Sequence, residues 1–203
     1  MINRIRLVGA SVCVLFSISA AQANCLSMMA NEVGNCGFED NPIGMTWLPT
    51  TADSIARTTA IQRSGAASLE IDAFESSPGF VYVAGAESEC FAVTASADYG
   101  FGAFFRLDAV TGPTPQCNVG FQSHNLADCS DTVVDNLTTG DIDLNTTTFT
   151  EINSTGNTVS GNFAQLSVGC RFVGAASDFL MYADDAYAGP SLMPVDLQSF
   201  SIQ

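Results

Sequence analysis

Few residues of this chain have chemistry to offer, and they fall into small groups. Beyond Cys13 the cysteines are Cys25, Cys36, Cys90, Cys117, Cys129 and Cys170, and there is one histidine, His124. No serine or cysteine stands where it would make His124 the base of a nucleophilic pair. The carboxylates that draw attention are Glu39, the string Glu70-Ile71-Asp72-Ala73-Phe74-Glu75, and the adjacent Asp184 and Asp185. Carboxylates brought together need a cation or hydrogen-bond donors, and calcium takes hard oxygen ligands of this kind. Structural Ca2+ held by Glu39, Asp184 and Asp185, with backbone carbonyls near Ser64 and Gly65 as further ligands, is one expectation; solvated or arginine-paired carboxylates are the other. Zinc is argued against by the absence of any CxxC pair and by the single histidine.

The elements that must position these residues are strands. Arg4 and Arg6, the uncharged run from Leu7 to Ser19 and the small residues of Ala21-Gln22-Ala23 read as a signal peptide over residues 1–23, cleaved before Asn24. The apolar run is shorter than the roughly 20 residues a bilayer core requires, so no membrane span is expected in the mature chain. Asn24 before Cys25 argues against lipidation. The mature chain has a length that suits one domain, at 24–190, with a terminal strand or tail at 191–203. The expected compartment is therefore periplasmic or extracellular, and the even number of remaining cysteines reads as three disulfides. Proximity favours Cys25 with Cys36 and Cys117 with Cys129, which leaves Cys90 with Cys170.

The mature chain keeps Arg57, Arg63, Arg106 and Arg171 against 21 acidic residues, and it has no lysine. Such a surface has almost nothing with which to neutralise phosphates, which excludes nucleic acid and anionic membranes as partners. β-Branched, aromatic or alternating runs at 67–74, 80–84, 90–94, 99–107, 118–123, 147–153, 163–172 and 179–188 read as strands, punctuated by Gly, Pro, Ser, Asn and Asp. No helical period appears after residue 23. The expected fold is all-β, a two-sheet β-sandwich (jelly roll) stapled by disulfides.

The order of short motifs adds to this. GFED at 37–40, Trp47, SGAASLEI at 64–71, YGFGAFFRL at 99–107 and YADDAYAGP at 182–190 come one after another along the chain. That succession resembles the carbohydrate-binding modules of the cellulose- and xylan-binding β-jelly-roll type, with the galactose-binding-like fold. The resemblance spans residues 35–190 and implies a jelly roll with a structural calcium near the carboxylates named above. It also implies a polysaccharide or cell-surface glycan as partner, and a buried tryptophan at position 47. A sugar ring packs its C–H face on an aromatic side chain while amides and carboxylates bond its hydroxyls. Trp47, Tyr82, Gln122 and His124 are the candidate ligand-binding residues, Tyr99 being expected in the core with Phe101.

The string EIDAFE resembles the catalytic motif of the laminarinase and carrageenase type of glycoside hydrolase. That resemblance would make Glu70 the nucleophile, Asp72 its helper and Glu75 the acid/base, and a retaining pair needs its carboxyls about 5–5.5 Å apart. A bulge at Ala73 or Phe74 is required to bring them to one face. Ala73 departs from that motif, the SSPG after Glu75 does not continue it, and no tryptophans exist to line a cleft. The simpler reading is a plain strand with Leu69, Ile71 and Ala73 inward. No catalytic residue is therefore assigned. A non-catalytic module binding neutral glycans weakly is the leading expectation. A structural or adhesive protein contacting another extracellular protein is the alternative, and a glycosidase using Glu70 and Glu75 is the third.

Overall fold

Alternation along the long strands sorts the side chains into two layers. The computed structural model describes residues 25, 30–50, 54–75, 81–145, 147–173 and 177–191. The expectations placed on the signal peptide and on the tail beyond residue 191 lie outside the described residues. In chain order the strands are β1 (Trp47–Pro49), β2 (Ser54–Thr58), β3 (Ser68–Glu75), β4 (Val81–Ser88), β5 (Phe91–Ala92), β6 (Asp98–Thr111), β7 (Gln116–His124), β8 (Asp135–Thr138), β9 (Ile142–Asp143), β10 (Thr150–Thr158), β11 (Phe163–Val173) and β12 (Ser177–Pro190). In β7, Cys117, Val119 and Phe121 are buried while Gln116, Asn118 and Gln122 are half-buried, the pattern of a strand with one face on the core.

All pairings are antiparallel and build two sheets. One has seven strands in the order β1-β4-β11-β7-β8, with β5 against β11 and β9 against β7; the other has five in the order β10-β6-β12-β3-β2. The expected two-sheet sandwich is the fold.

Between the sheets lies an aromatic core with its centre on Phe121. Its ring centroid is 5.4 Å from Phe101, 5.8 Å from Tyr99 and 6.2 Å from Phe91. Phe121 comes from β7 of the larger sheet and Tyr99 and Phe101 from β6 of the smaller, so this contact joins the layers. Burying a phenol requires a partner for its oxygen, and Tyr99 Oη accepts the backbone N–H of Thr94 at 2.9 Å. Tyr99 lies in the core, as its position beside Phe101 implied.

Two of the three expected disulfide pairings are corrected. Cys25 bonds Cys36 as expected, but Cys90 bonds Cys129 and Cys117 bonds Cys170. The register supplies the reason: Cys117 on β7 and Cys170 on β11 are direct cross-strand neighbours, both facing the core. Cys129, in the loop after β7, then reaches back to the start of β5. Proximity in sequence ranked these pairs wrongly because hydrogen-bonded strands bring distant residues closer than a loop brings near ones.

Candidate functional site

Glu39, Asp184 and Asp185 do converge, as expected, on the turn at residues 63–66. β12 has a bulge between Asp184 and Tyr187 relative to β6, and Asp185 within it adopts φ 48°, a conformation that aspartate tolerates better than most residues. The bulge aims two consecutive carboxylates at one turn, and both are fully buried. Asp184 Oδ2 accepts the backbone N–H groups of Arg63 (2.7 Å) and Ser64 (3.1 Å), and its Oδ1 accepts that of Asp185 (2.7 Å). Asp185 Oδ1 accepts the Ser64 hydroxyl (2.7 Å) and the Cys25 N–H (3.2 Å), and its Oδ2 pairs with the Arg63 guanidinium. Glu39 Oε1 accepts the Ala66 N–H at 2.9 Å, while Arg57 donates to the Glu39 carbonyl at 3.0 Å.

This donor set does not fit calcium. A hard cation needs oxygens turned toward it, and here N–H groups of the turn and a guanidinium already take up the carboxylate oxygens. Among the described residues no three His, Cys, Asp or Glu side chains are placed to hold a metal ion.

Burial, and after it the charge of Asp185, pushes the Asp184 carboxyl up from its ordinary 3.8 to about 7. Between those values the folded state holds a proton that the unfolded chain has released. Stability is therefore greatest at the acid end of this window, falls as pH rises through it, and levels off above. Denaturant unfolding is expected to lose about 4 kcal/mol across the window, and Asp184→Asn to flatten that slope. A slope unchanged in the variant would assign the proton elsewhere.

A second set of polar residues lies on the outer face of the seven-stranded sheet. Gln122 on β7 stands opposite Gln165 on β11 and Asn136 on β8, so three amides form one cross-strand row. Ser167, Gly120 and Thr138 form the next row, and Gly85, Gly169 and Asn118 the one after. The Gly85–Gly169 pair leaves the middle of this face without side chains. A Cβ at Gly85 would come within 2.1 Å of the Val168 carbonyl oxygen, so the bare floor results from the close approach of β4 and β11. At the far end Asn118 donates to Asp141 at 2.8 Å, Arg171 pairs with the same carboxylate, and Gln116 donates to Asp143 at 3.0 Å. Rows spaced by two residues are about 7 Å apart, so the face extends about 20 Å along the strands.

Of the expected ligand residues, Gln122 belongs to this face. Trp47 does not: it is fully buried, its ring 4.9 Å from Phe38 and its Nε1–H donating to the Asn35 carbonyl at 3.3 Å. It is core, as the resemblance implied, and no ligand platform. His124 is corrected as well, being 3% exposed. The loop after β7 folds back to put Asp131 Oδ1 3.1 Å from His124 Nδ1, which closes this end of the face. Tyr82 pairs by backbone register with Phe172, and its side chain lies outside the described residues. Gln165, Asn136 and Asn118 were not singled out from the sequence. Their alternation with buried apolar neighbours was visible, but the register that aligns them with Gln122 was not.

The outer face of the five-stranded sheet is less open. Tyr182, opposite Glu70 and Arg106, is 4% exposed, and Tyr187 is buried with its hydroxyl donating to Glu151 at 2.7 Å. Both phenols are pushed up, by burial first and then by the carboxylates beside them. The ladder between β3 and β12 runs without a register shift from Leu69–Ala183 to Glu75–Ser177. The bulge that a glycosidase pair would need is absent there, and the side chain of Glu75 lies outside the described residues.

The two layers define a class of fold, the two-sheet β-sandwich, and solved carbohydrate-binding modules share it. TmCBM61, solved in complex with β-1,4-galactotriose, is similar over 79% of this chain and 99% of its own, with TM-score 0.52 and 12% identity. The CBM22-1 xylan-binding domain of Xyn10C from Paenibacillus barcinonensis is similar over 76% of this chain and 90% of its own, with TM-score 0.51 and 11% identity. The arabinose-bound α-L-arabinofuranosidase MgGH51 is similar over 80% of this chain and 27% of its own, with TM-score 0.58 and 17% identity. No family model and no curated protein matches the sequence.

Proposed function

We propose that the protein is an exported, non-catalytic module that binds a neutral glycan weakly across the outer face of the seven-stranded sheet. The observation that carries this reading is the row Gln122, Gln165 and Asn136, continued by Asn118. Amides both donate and accept, which matches a polyhydroxyl ligand, and they lie on hydrogen-bonded strands whose backbone has little entropy to lose on binding. The surplus of acidic residues disfavours anionic polymers. Among the described residues few aromatic side chains are exposed to stack on a sugar, which is why the affinity is expected to be weak. Export is supported by three disulfides, which persist only in oxidising compartments. Among the described residues no helix is long and apolar enough to cross a membrane.

The test is retention of the purified protein on a panel of neutral polysaccharides, with a reducing-sugar assay on each. Retention without sugar release is expected, and the double variant Gln122→Ala/Gln165→Ala is expected to bind about tenfold more weakly, the loss of one or two neutral hydrogen bonds. Equal retention by the variant would move the ligand off this face. Silence across the panel favours the second reading, an adhesive or structural protein, for which the exposed Leu126, Val133 and Val134 in the loop after β7 offer apolar contact.

A further inference from the structure

Two buried carboxylates side by side require positive charge or donors in the same place, because an uncompensated charge cannot be held out of water. Asp184 lies directly opposite Phe104 across the β12–β6 ladder. Over the ring of Phe104, 3.5 Å from its centroid, sits Cζ of Arg63. The same guanidinium pairs with Asp185, and the backbone N–H of the same residue donates to Asp184. Each of the four carboxylate oxygens of Asp184 and Asp185 has at least one donor from the protein itself. The Arg63 guanidinium thus meets Asp185 and an aromatic face at once, which a planar cation can do and a point cation cannot, while the backbone N–H of the same residue serves Asp184.

We infer that Arg63 is the resident cation of this sandwich: its guanidinium takes the place of a structural metal ion beside Asp184 and Asp185, so the fold is complete without calcium. The arrangement also sets the turn at residues 63–66. With the guanidinium anchored by Asp185 and Phe104, the N–H groups of Arg63 and Ser64 donate to Asp184. Glu39 holds the far side of the turn through Ala66.

The experiment is thermal and denaturant unfolding of the purified protein after exhaustive dialysis against EDTA, and again after adding calcium, beside the variant Arg63→Gln. The expected result is one midpoint for the wild-type protein in both solutions, with no stoichiometric calcium by elemental analysis. For Arg63→Gln the folding equilibrium constant is expected to fall on the order of 100-fold, since the variant leaves a buried carboxylate without its partner. The inference is overturned if EDTA lowers the wild-type midpoint and calcium restores it. It is equally overturned if Arg63→Gln unfolds at the wild-type midpoint. The wild-type arm keeps its force even where the variant fails to fold.

Discussion

Phe121→Ala will lower the unfolding free energy by about 4 kcal/mol, the range for removing a fully buried ring from a core that cannot collapse around the gap. The site has little freedom to close. Phe121 is held on β7 between β11 and β8, while the rings it meets are fixed in other strands: Phe91 on β5, Tyr99 and Phe101 on β6. Those last two belong to the opposite sheet, so truncation takes away the aromatic contact across the layers as well as the buried area. Urea titration is the measurement, with Phe121→Leu as the control that keeps most of the volume and loses much less. A loss for alanine no larger than that for leucine would mean that the sheets close over the cavity, and that the aromatic cluster is not what holds them together.

The second large effect is expected at Cys117 and Cys170. Their bond spans 53 residues, against 39 for Cys90–Cys129 and 11 for Cys25–Cys36. In the chain-entropy account the constraint on the unfolded chain grows with the loop closed. Replacing Cys117 and Cys170 together by alanine is therefore expected to cost about 4 kcal/mol, and replacing Cys25 and Cys36 about 3 kcal/mol. Both half-cystines of the first pair are buried between neighbouring strands, so the alanines leave the sheet register intact and the comparison isolates the crosslink. The ranking of the three double variants by denaturation midpoint is the test. If the 11-residue link proved the most costly to lose, native contacts of the N-terminal segment, not chain entropy, would set the order.

Legibility in the sequence tracked burial. Strands with a core face declared themselves: Leu166, Val168 and Cys170 alternate with Gln165, Ser167 and Gly169 along β11, β3 and β7 read in the same way, and β6 and β12 read as apolar and aromatic runs. The strands that went unread were β1, β2, β8 and β9, all at sheet margins, where one neighbour and a thin apolar contribution suffice. Asn136 and Thr138 of β8 look like turn residues because the face they present is solvent. Pairing between distant strands has no local signal, which is why Cys117 and Cys170 were not matched and why the amide row was seen only at Gln122. The meeting of Glu39, Asp184 and Asp185 was legible from their place in a sandwich. Their choice of partner was not, because a turn can present either carbonyls or N–H groups, and Arg63 decides between them through Phe104 and Asp185, both remote from it along the chain.

The strand order has a consequence for how the molecule comes into being. β12 lies between β6 and β3 at the middle of the five-stranded sheet, and its bulge receives the N-terminal segment: Cys25 bonds Asp185, Asn31 bonds Ala186 and Ala188, and Cys36 accepts from Ala186. Until residues 177–190 have been made, β6 and β3 have no common neighbour, and Cys25, Asn31 and Cys36 lack their partners on β12. The five-stranded sheet is thus completed by a central strand that comes last among the described strands, and its closure rests on contacts distant in sequence.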